Sequence, residues 1–206
     1  LTREQEDPEK ACCPFSADRS GFVLSEGSAA VVLENMEDAI RRGANILGEV
    51  IGYANYSDAY DITAPASDLK GRTMAIDKAI ERAELETDEI HYINAHGTST
   101  PLNDANETRA IKEVFEDDAA GIPISSTKSY TGHLVSASGV IESIFCLKTM
   151  EDDMVPATVN LKTPDEELDL DFTPNEHRFV EGIDNVLNIN YGFGGCNSAL
   201  VLRRYK

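Results

Sequence analysis

Hydrophobic and polar positions along the chain fall into recurring periods that separate strands from helices. Residues 1–20 are polar, carry Pro8 and Pro14, and read as an irregular entry segment. Two apolar runs follow, Gly21-Phe22-Val23-Leu24 and Ala29-Ala30-Val31-Val32-Leu33, which predict two buried strands joined by the turn Ser25-Glu26-Gly27-Ser28. Glu34 to Arg42 predicts a short helix stopped by Gly43, and Ile46 to Tyr53 the next strand. Asn55 to Lys70, with Asp58, Asp61, Pro65 and Asp68, has no period and reads as a long loop. Met74, Ile76, Ala79, Ile80 and Ala83 lie on one helical stripe. Ile90 to Ala95 predicts an alternating strand. Asp104-x-x-Glu107 has the form of a capping box and predicts a helix from about Asp104 through Ile111, Val114 and Phe115. Ile122 to Ser126 reads as a short strand. Leu134 to Met150 predicts a helix whose middle, Ser136-Ala137-Ser138-Gly139, is small enough for another element to approach its backbone. Val186 to Tyr191 and Ser198 to Arg203 predict antiparallel strands around Gly192-Phe193-Gly194-Gly195. Strands alternating with helices make the fold class α/β.

Composition narrows the function. At 206 residues and 41% hydrophobic, the chain can bury a core, and no apolar run approaches the ~20 residues a membrane span requires. Lys plus Arg total 18 against 37 Asp plus Glu, so the formal charge is 18 − 37 = −19. Nucleic-acid and anionic-membrane surfaces depend on Lys and Arg, and this balance excludes a broad one. The acid is spread through Glu4-Gln5-Glu6-Asp7, Glu116-Asp117-Asp118, Glu151-Asp152-Asp153 and Asp165-Glu166-Glu167, as on a solvated surface. Cys12, Cys13, Cys146 and Cys196 form neither a secreted disulfide framework nor a C-x-x-C pair, which implies a reducing cytoplasm.

Three segments gather groups able to do chemistry where strands give way to loops or helices. They are Asn94-Ala95-His96-Gly97-Thr98-Ser99-Thr100-Pro101, Ser125-Ser126-Thr127-Lys128-Ser129-Tyr130-Thr131-Gly132-His133, and Gly192-Phe193-Gly194-Gly195-Cys196-Asn197. In α/β proteins the carboxyl ends of strands are where ligands bind. Taken singly, His96 and His133 fit hydrogen-bonded structural residues at least as well as functional ones. No His or Cys spacing matches a metal site. His91 and His177, each beside a glutamate, read as surface residues. Lys128 is either a surface cation or a buried one needing a carboxylate, for which Glu142 is available. The glycine run by itself reads as a hairpin turn.

Together, in this order, the three segments resemble the β-ketoacyl-[acyl carrier protein] synthases, in particular the fatty-acid elongating type II enzymes. The resemblance runs over essentially the whole chain. It includes Asp18-Arg19-x-Gly21-Phe22-Val23-Leu24, Ser57-Asp58-Ala59-Tyr60, Val155-Pro156-Ala157-Thr158-Val159-Asn160-Leu161, Asp169-Leu170-Asp171-Phe172 and Pro174-Asn175-Glu176. His96-Gly97-Thr98-Ser99-Thr100-Pro101 is the wording of this type; modular polyketide synthases usually have Gly at the position of Ser99. The resemblance implies a thiolase-like fold of layered α-β-α-β-α type. Residues 1–48 would close the first half, and residues 49–206 would form the complete second half around a mixed five-stranded sheet.

It also implies roles. His96 and His133 match the two histidines that hold the malonyl thioester oxygen during decarboxylation, Lys128 the active-site lysine and Glu142 its carboxylate partner. Thr98 and Thr100 match the threonines that hold the phosphopantetheine arm, which arrives on the acyl carrier protein, so the protein needs no cofactor of its own. The backbone N–H of Phe193 matches a donor of the second oxyanion hole, and its ring the gate of the acyl pocket. The loop from Asp58 to Pro65 resembles the second gating loop. The chain departs from the pattern at Tyr191 (usually Phe), Cys196 (usually Thr), Asn103 (usually Gly), Asp61 (often His) and the Ser25–Ser28 turn.

The family's nucleophilic cysteine, in an Ala-Cys-Ser-like elbow, has no match among Cys12, Cys13, Cys146 and Cys196. The expectation is therefore a chain that needs a missing N-terminal half to fold and act, with acyl carrier protein and a homodimer of the complete enzyme as partners. Arg41-Arg42 and Arg203-Arg204 are the few candidates for a basic patch facing an acidic carrier protein. A non-catalytic partner subunit of the chain-length-factor kind is the alternative, although such subunits commonly lose the residues kept here at His96, Lys128 and His133. A thiolase fits less well, since thiolases use a second Cys as base.

Overall fold

The computed structural model describes residues 1–4 and 6–206; Gln5, in the first acidic run, lies outside the described residues. The chain passes through α1 (Met36–Arg41), β1 (Glu49–Ser57), α2 (Lys70–Arg82), β2 (Tyr92–Asn94), α3 (Pro101–Phe115) and β3 (Ile124–Ser125). It continues through α4 (Lys128–Thr131), α5 (Ser138–Asp152), β4 (Met154–Val155), β5 (Arg178–Phe179), β6 (Asn185–Gly192) and β7 (Cys196–Arg203). Five strands form a mixed sheet in the order β1-β7-β6-β2-β3. β1 and β7, and β7 and β6, pair antiparallel, while β2 lies parallel between β6 and β3. β4 and β5 make a separate two-stranded ribbon that the sequence pattern does not reveal.

Both faces of the sheet are covered, which makes three layers. On one face Ala75, Ile76 and Ala79 of α2 and Ile111 and Phe115 of α3 pack against Ile93, Leu187, Ile189 and Val201. On the other, Cys146 and Met150 of α5 pack against Tyr92, Val186 and Leu202. β2 is therefore buried on both sides, as parallel central strands are, and its side chains do not alternate between core and solvent. Tyr92 satisfies its hydroxyl in the interior by pairing with Ser125 Oγ at 2.7 Å. The register of β1 slips between Val50 and Gly52, where α2 presses closest. A Cβ at Gly52 would stand 2.2 Å from the Ala79 carbonyl oxygen.

Several expectations need correction. Residues 21–24 make a single parallel bridge, Leu24 to His133, and residues 29–33 belong to no strand among those described. Val32 and Leu33 are 90% and 77% exposed, because an apolar run becomes a buried strand only where the fold supplies neighbours on its edges and faces. The polar entry segment is not merely a surface loop: Ala11 to Ser16 are buried, and Phe15 stacks on Phe172 at 3.8 Å. α3 begins at Pro101 with Thr100 as its cap, whose hydroxyl accepts the Asn103 N–H; Asp104 and Glu107 lie inside the helix. The small residues of the fifth helix sit at its start, not its middle, after a tight turn at Val135–Ala137. There the Asn188 amide reaches the Gly139 carbonyl and Ser143 hydroxyl at 3.2 and 3.1 Å, the close approach that small residues permit. No helix among the described residues is long and apolar enough to cross a membrane.

Candidate functional site

His96 follows β2 at its carboxyl end, and its position is set by backbone contacts. The carboxylate of Glu107 accepts the N–H of His96 at 2.6 Å through one oxygen and the N–H of Gly97 at 2.8 Å through the other. Gly97 has φ +34°, and a Cβ there would lie 2.4 Å from that of Ser126, whose hydroxyl donates to the Gly97 carbonyl. The turn therefore needs glycine, and the turn aims the imidazole. His133 arrives from the other direction, in the segment between α4 and α5. Its N–H donates to Val23 O at 2.7 Å, and Ser25 N–H returns to its carbonyl at 3.0 Å.

The two rings meet edge to face with centroids 5.3 Å apart and an interplanar angle of 86°. Phe22 walls the His133 side and Tyr191 the His96 side, each at 5.7 Å. His133 Nδ1 accepts the Val135 N–H at 3.2 Å, with Ser138 Oγ 3.1 Å away, so the proton of the neutral ring sits on Nε2. Burial, and then the nearby Lys128 charge, push the His133 pKa down to about 4. His96 is held well below the ordinary histidine value by burial first, then by Lys128, His133 and Arg72, with Asn190 partly offsetting them. Both imidazoles are thus uncharged at neutral pH and able to donate N–H groups.

Lys128, at the start of α4, is 0% exposed, and its ammonium lies 2.6 Å from Glu142 of α5, itself 1% exposed. Burial raises the Glu142 pKa and the Lys128 charge opposes that rise. Thr98 and Thr100 share a hydroxyl–hydroxyl hydrogen bond of 2.9 Å beside His96.

The remaining expected residues form a second group along the loop after β1 and the hairpin turn. Asp58 accepts the Ala66 N–H at 3.0 Å and the Asn197 amide at 2.7 Å, so its carboxylate holds the loop's shape, with Pro65 half-buried inside it. Asp58 N–H donates to Gly195 O at 2.8 Å and Gly194 N–H to Ile62 O at 2.7 Å, tying the loop to the turn. Phe193, at the tip, is 71% exposed. Asp61 caps its own loop by accepting the Thr63 and Ala64 N–H groups.

Sequence reasoning missed Glu107, Arg72 and Asn190. The Asp104-x-x-Glu107 spacing suggested a helix cap; the Thr100-Pro101 pair was the cap signal, and it frees the carboxylates for the interior. Burial pushes the Cys12 thiol up to about 12 and raises Cys146 and Cys13 as well, which leaves them poor nucleophiles. Of the expected basic patch, Arg41, Arg42 and Arg204 are paired to Asp38, Glu34 and Asp153, and Arg203 donates to Asn185. Among the described residues no cluster of His, Cys, Asp or Glu is arranged to hold a metal ion.

Residues 47–162 match the family model of the β-ketoacyl synthase C-terminal domain. The chain is 47% identical over all its 206 residues to the 3-oxoacyl-[acyl-carrier-protein] synthase 2 of Synechocystis sp., of which it covers 49%. It therefore spans about half the length of the curated relatives it matches. Among solved structures, it superposes with a TM-score of 0.95 and 41% identity on a chain of a type II PKS acyl-carrier protein in complex with its ketosynthase bound to the hexaketide. That match covers 99% of this chain and 50% of the other. The ishigamide ketosynthase/chain length factor gives a TM-score of 0.91 at 35% identity, over 100% of this chain and 48% of the other.

Proposed function

The chain belongs to the β-ketoacyl synthase family, and from that membership we propose that it supplies the decarboxylating machinery of a fatty-acid elongating β-ketoacyl-[acyl carrier protein] synthase II. The observation that carries this reading is the pair of neutral imidazoles converging at 5.3 Å from separate segments. In the reaction the malonyl thioester loses carbon dioxide, and the bonding pair of the broken C–C bond passes to the thioester as an enolate. Negative charge builds on the thioester oxygen, and the N–H groups of His96 and His133 receive it. Each such preorganised donor is worth about 3–4 kcal/mol of barrier in comparable oxyanion sites. The α-carbon then attacks an acyl group carried on a cysteine of the N-terminal half. The oxyanion of that step is held by the Phe193 N–H, and collapse returns the electron pair to the cysteine sulfur as the new C–C bond is kept.

Lys128 acts as a fixed charge and not as a base. Sequestered against Glu142, it depresses both imidazoles and orders the segment leading to His133. Thr98 and Thr100 hold the phosphopantetheine arm, and Phe193 with the Asp58–Pro65 loop gates the acyl pocket. We place the division between the two halves at residues 48 and 49, since every strand of the five-stranded sheet lies at 49–203. The partners are acyl carrier protein, the cysteine-bearing half and a second copy of the complete enzyme, acting in a reducing cytoplasm.

The full-length protein, incubated with acyl- and malonyl-[acyl carrier protein], is expected to release carbon dioxide and form a 3-oxoacyl product two carbons longer, read by intact-protein mass. No product from this protein alone, with product restored by adding a separate ketosynthase, would mark a non-catalytic partner subunit instead.

A further inference from the structure

Asn103 touches the carboxylate beneath His96, and Arg72, far away in the sequence, reaches that carboxylate's neighbourhood through Asn103. The Asn103 amide donates to Glu107 Oε2 at 3.3 Å and to Asp104 Oδ1 at 3.2 Å. Arg72 of α2 donates to the Asn103 carbonyl at 3.4 Å, and its guanidinium carbon stacks 3.9 Å above the ring of Tyr191. Tyr191 is the same ring that stands edge-on to His96. Glu107 and Arg72 are 0% and 4% exposed, so their charges interact with little screening by water. We propose that Asn103 and Arg72 are positioning residues for His96: they keep the Glu107 carboxylate ionised as the double acceptor of the His96 and Gly97 N–H groups.

Each oxygen of Glu107 receives one backbone N–H, which only the ionised form does equally well. A protonated carboxyl would turn one O–H toward an N–H, and the turn that aims the imidazole would open. Glu107 is close to that change: burial pushes its pKa up to about 7, opposed by the Gly97 N–H, Arg72 and the His96 N–H, and aggravated by Asp104. Of the groups facing it, Asp104 lies on its own helix, Arg72 on α2 and His96 after β2. Tyr191 on β6 is kept neutral by burial. Asn103 adds a further N–H donor, and Tyr191 clamps the guanidinium by a cation–π contact so that its charge stays in place. A glycine at position 103 would supply no such donor.

The consequence for catalysis rests on the condensing reading above, so the test has two readouts. In the full-length protein, the Glu107 carboxyl is titrated by 13C NMR without substrate, and the acid limb of malonyl-[acyl carrier protein] decarboxylation is measured in parallel. In Asn103→Ala the carboxyl midpoint is expected to rise. Arg72→Met should raise it further, by ~1–3 pH units as for loss of a nearby opposite charge. The acid limb should move up with the midpoint, and Asn103→Gln should bring both back toward the parent. Arg72→Gln, which also removes the charge, serves in the same comparison if the Met variant does not fold. A midpoint unmoved in both Asn103→Ala and Arg72→Met overturns the proposal, as does a midpoint that moves while the limb stays fixed. A moved midpoint with no decarboxylation at any pH supports the Glu107 arrangement and overturns the condensing reading.

Discussion

Removing one member of the Lys128–Glu142 pair strands a charge in a site sealed from water. Glu142→Gln is expected to cost about 3–5 kcal/mol of stability by urea unfolding, and Lys128→Met a similar amount, whereas the double variant should lose less than their sum. Lys128→Ala should reduce decarboxylation far more than thioester binding; equal losses would contradict its role as a fixed charge. His133 makes a separate prediction. Its folded pKa, about 4, lies below the ~6.5 of an exposed histidine, so between those values the unfolded chain binds the extra proton. Its contribution to stability is present above about pH 6.5 and is lost as pH falls toward 4. His133→Gln should therefore flatten the fall in stability between pH 7 and 5. At this scale the sequence pointed to the two imidazoles that the fold brings together and was silent on the carboxylate that holds one of them in place. His96 and His133 stood out only in company with Lys128 and the glycine run, not singly. Glu107 did not stand out, because a carboxylate inside a helix looks the same in sequence whether it faces solvent or receives two backbone N–H groups.

Strands and helices were legible where a buried face imposes its period on the sequence. α2, β6 and β7 fall close to their expected positions because periodicity there reports a real buried face. The run 29–33 has the same apolar signature but finds no partner strand among the described residues, so pattern alone assigned it wrongly. The onset of α3 was misplaced for a different reason: two cap signals compete there, and Thr100-Pro101 outranks Asp104-x-x-Glu107 because the Thr100 hydroxyl accepts the Asn103 N–H and Pro101 has no N–H to leave unpaired. Close contacts between elements were the least legible feature. Gly52 gives no local sign that α2 crosses at van der Waals distance. Gly52→Ala is expected to destabilise the protein by about 1–3 kcal/mol, as overpacking does, with the loss read in the urea midpoint. An unchanged midpoint would mean that β1 can slide away from the helix.

For the molecule as a whole, 37 acidic against 18 basic residues leave a surface that repels itself. Lys10, Lys78, Lys112, Lys148 and Arg178 are already committed to local carboxylates, and the excess of acid over base is left for solvent ions to screen. Raising KCl should therefore raise the melting temperature; a flat or falling response would show that self-repulsion does not limit stability. The same imbalance bears on docking, because the arginines nearest to a basic patch are spent within the chain. The broad architecture followed from alternating strands and helices, but the meeting of two distant loops at one point is a property of the assembled fold that no local pattern contains. That meeting point is what should be measured. Carbon dioxide release from malonyl-[acyl carrier protein] by the full-length protein should fall by ~100- to 1,000-fold in His96→Ala and in His133→Ala, with substrate affinity little changed. Release within threefold of the parent in either variant would contradict the claim that two neutral imidazoles share the enolate.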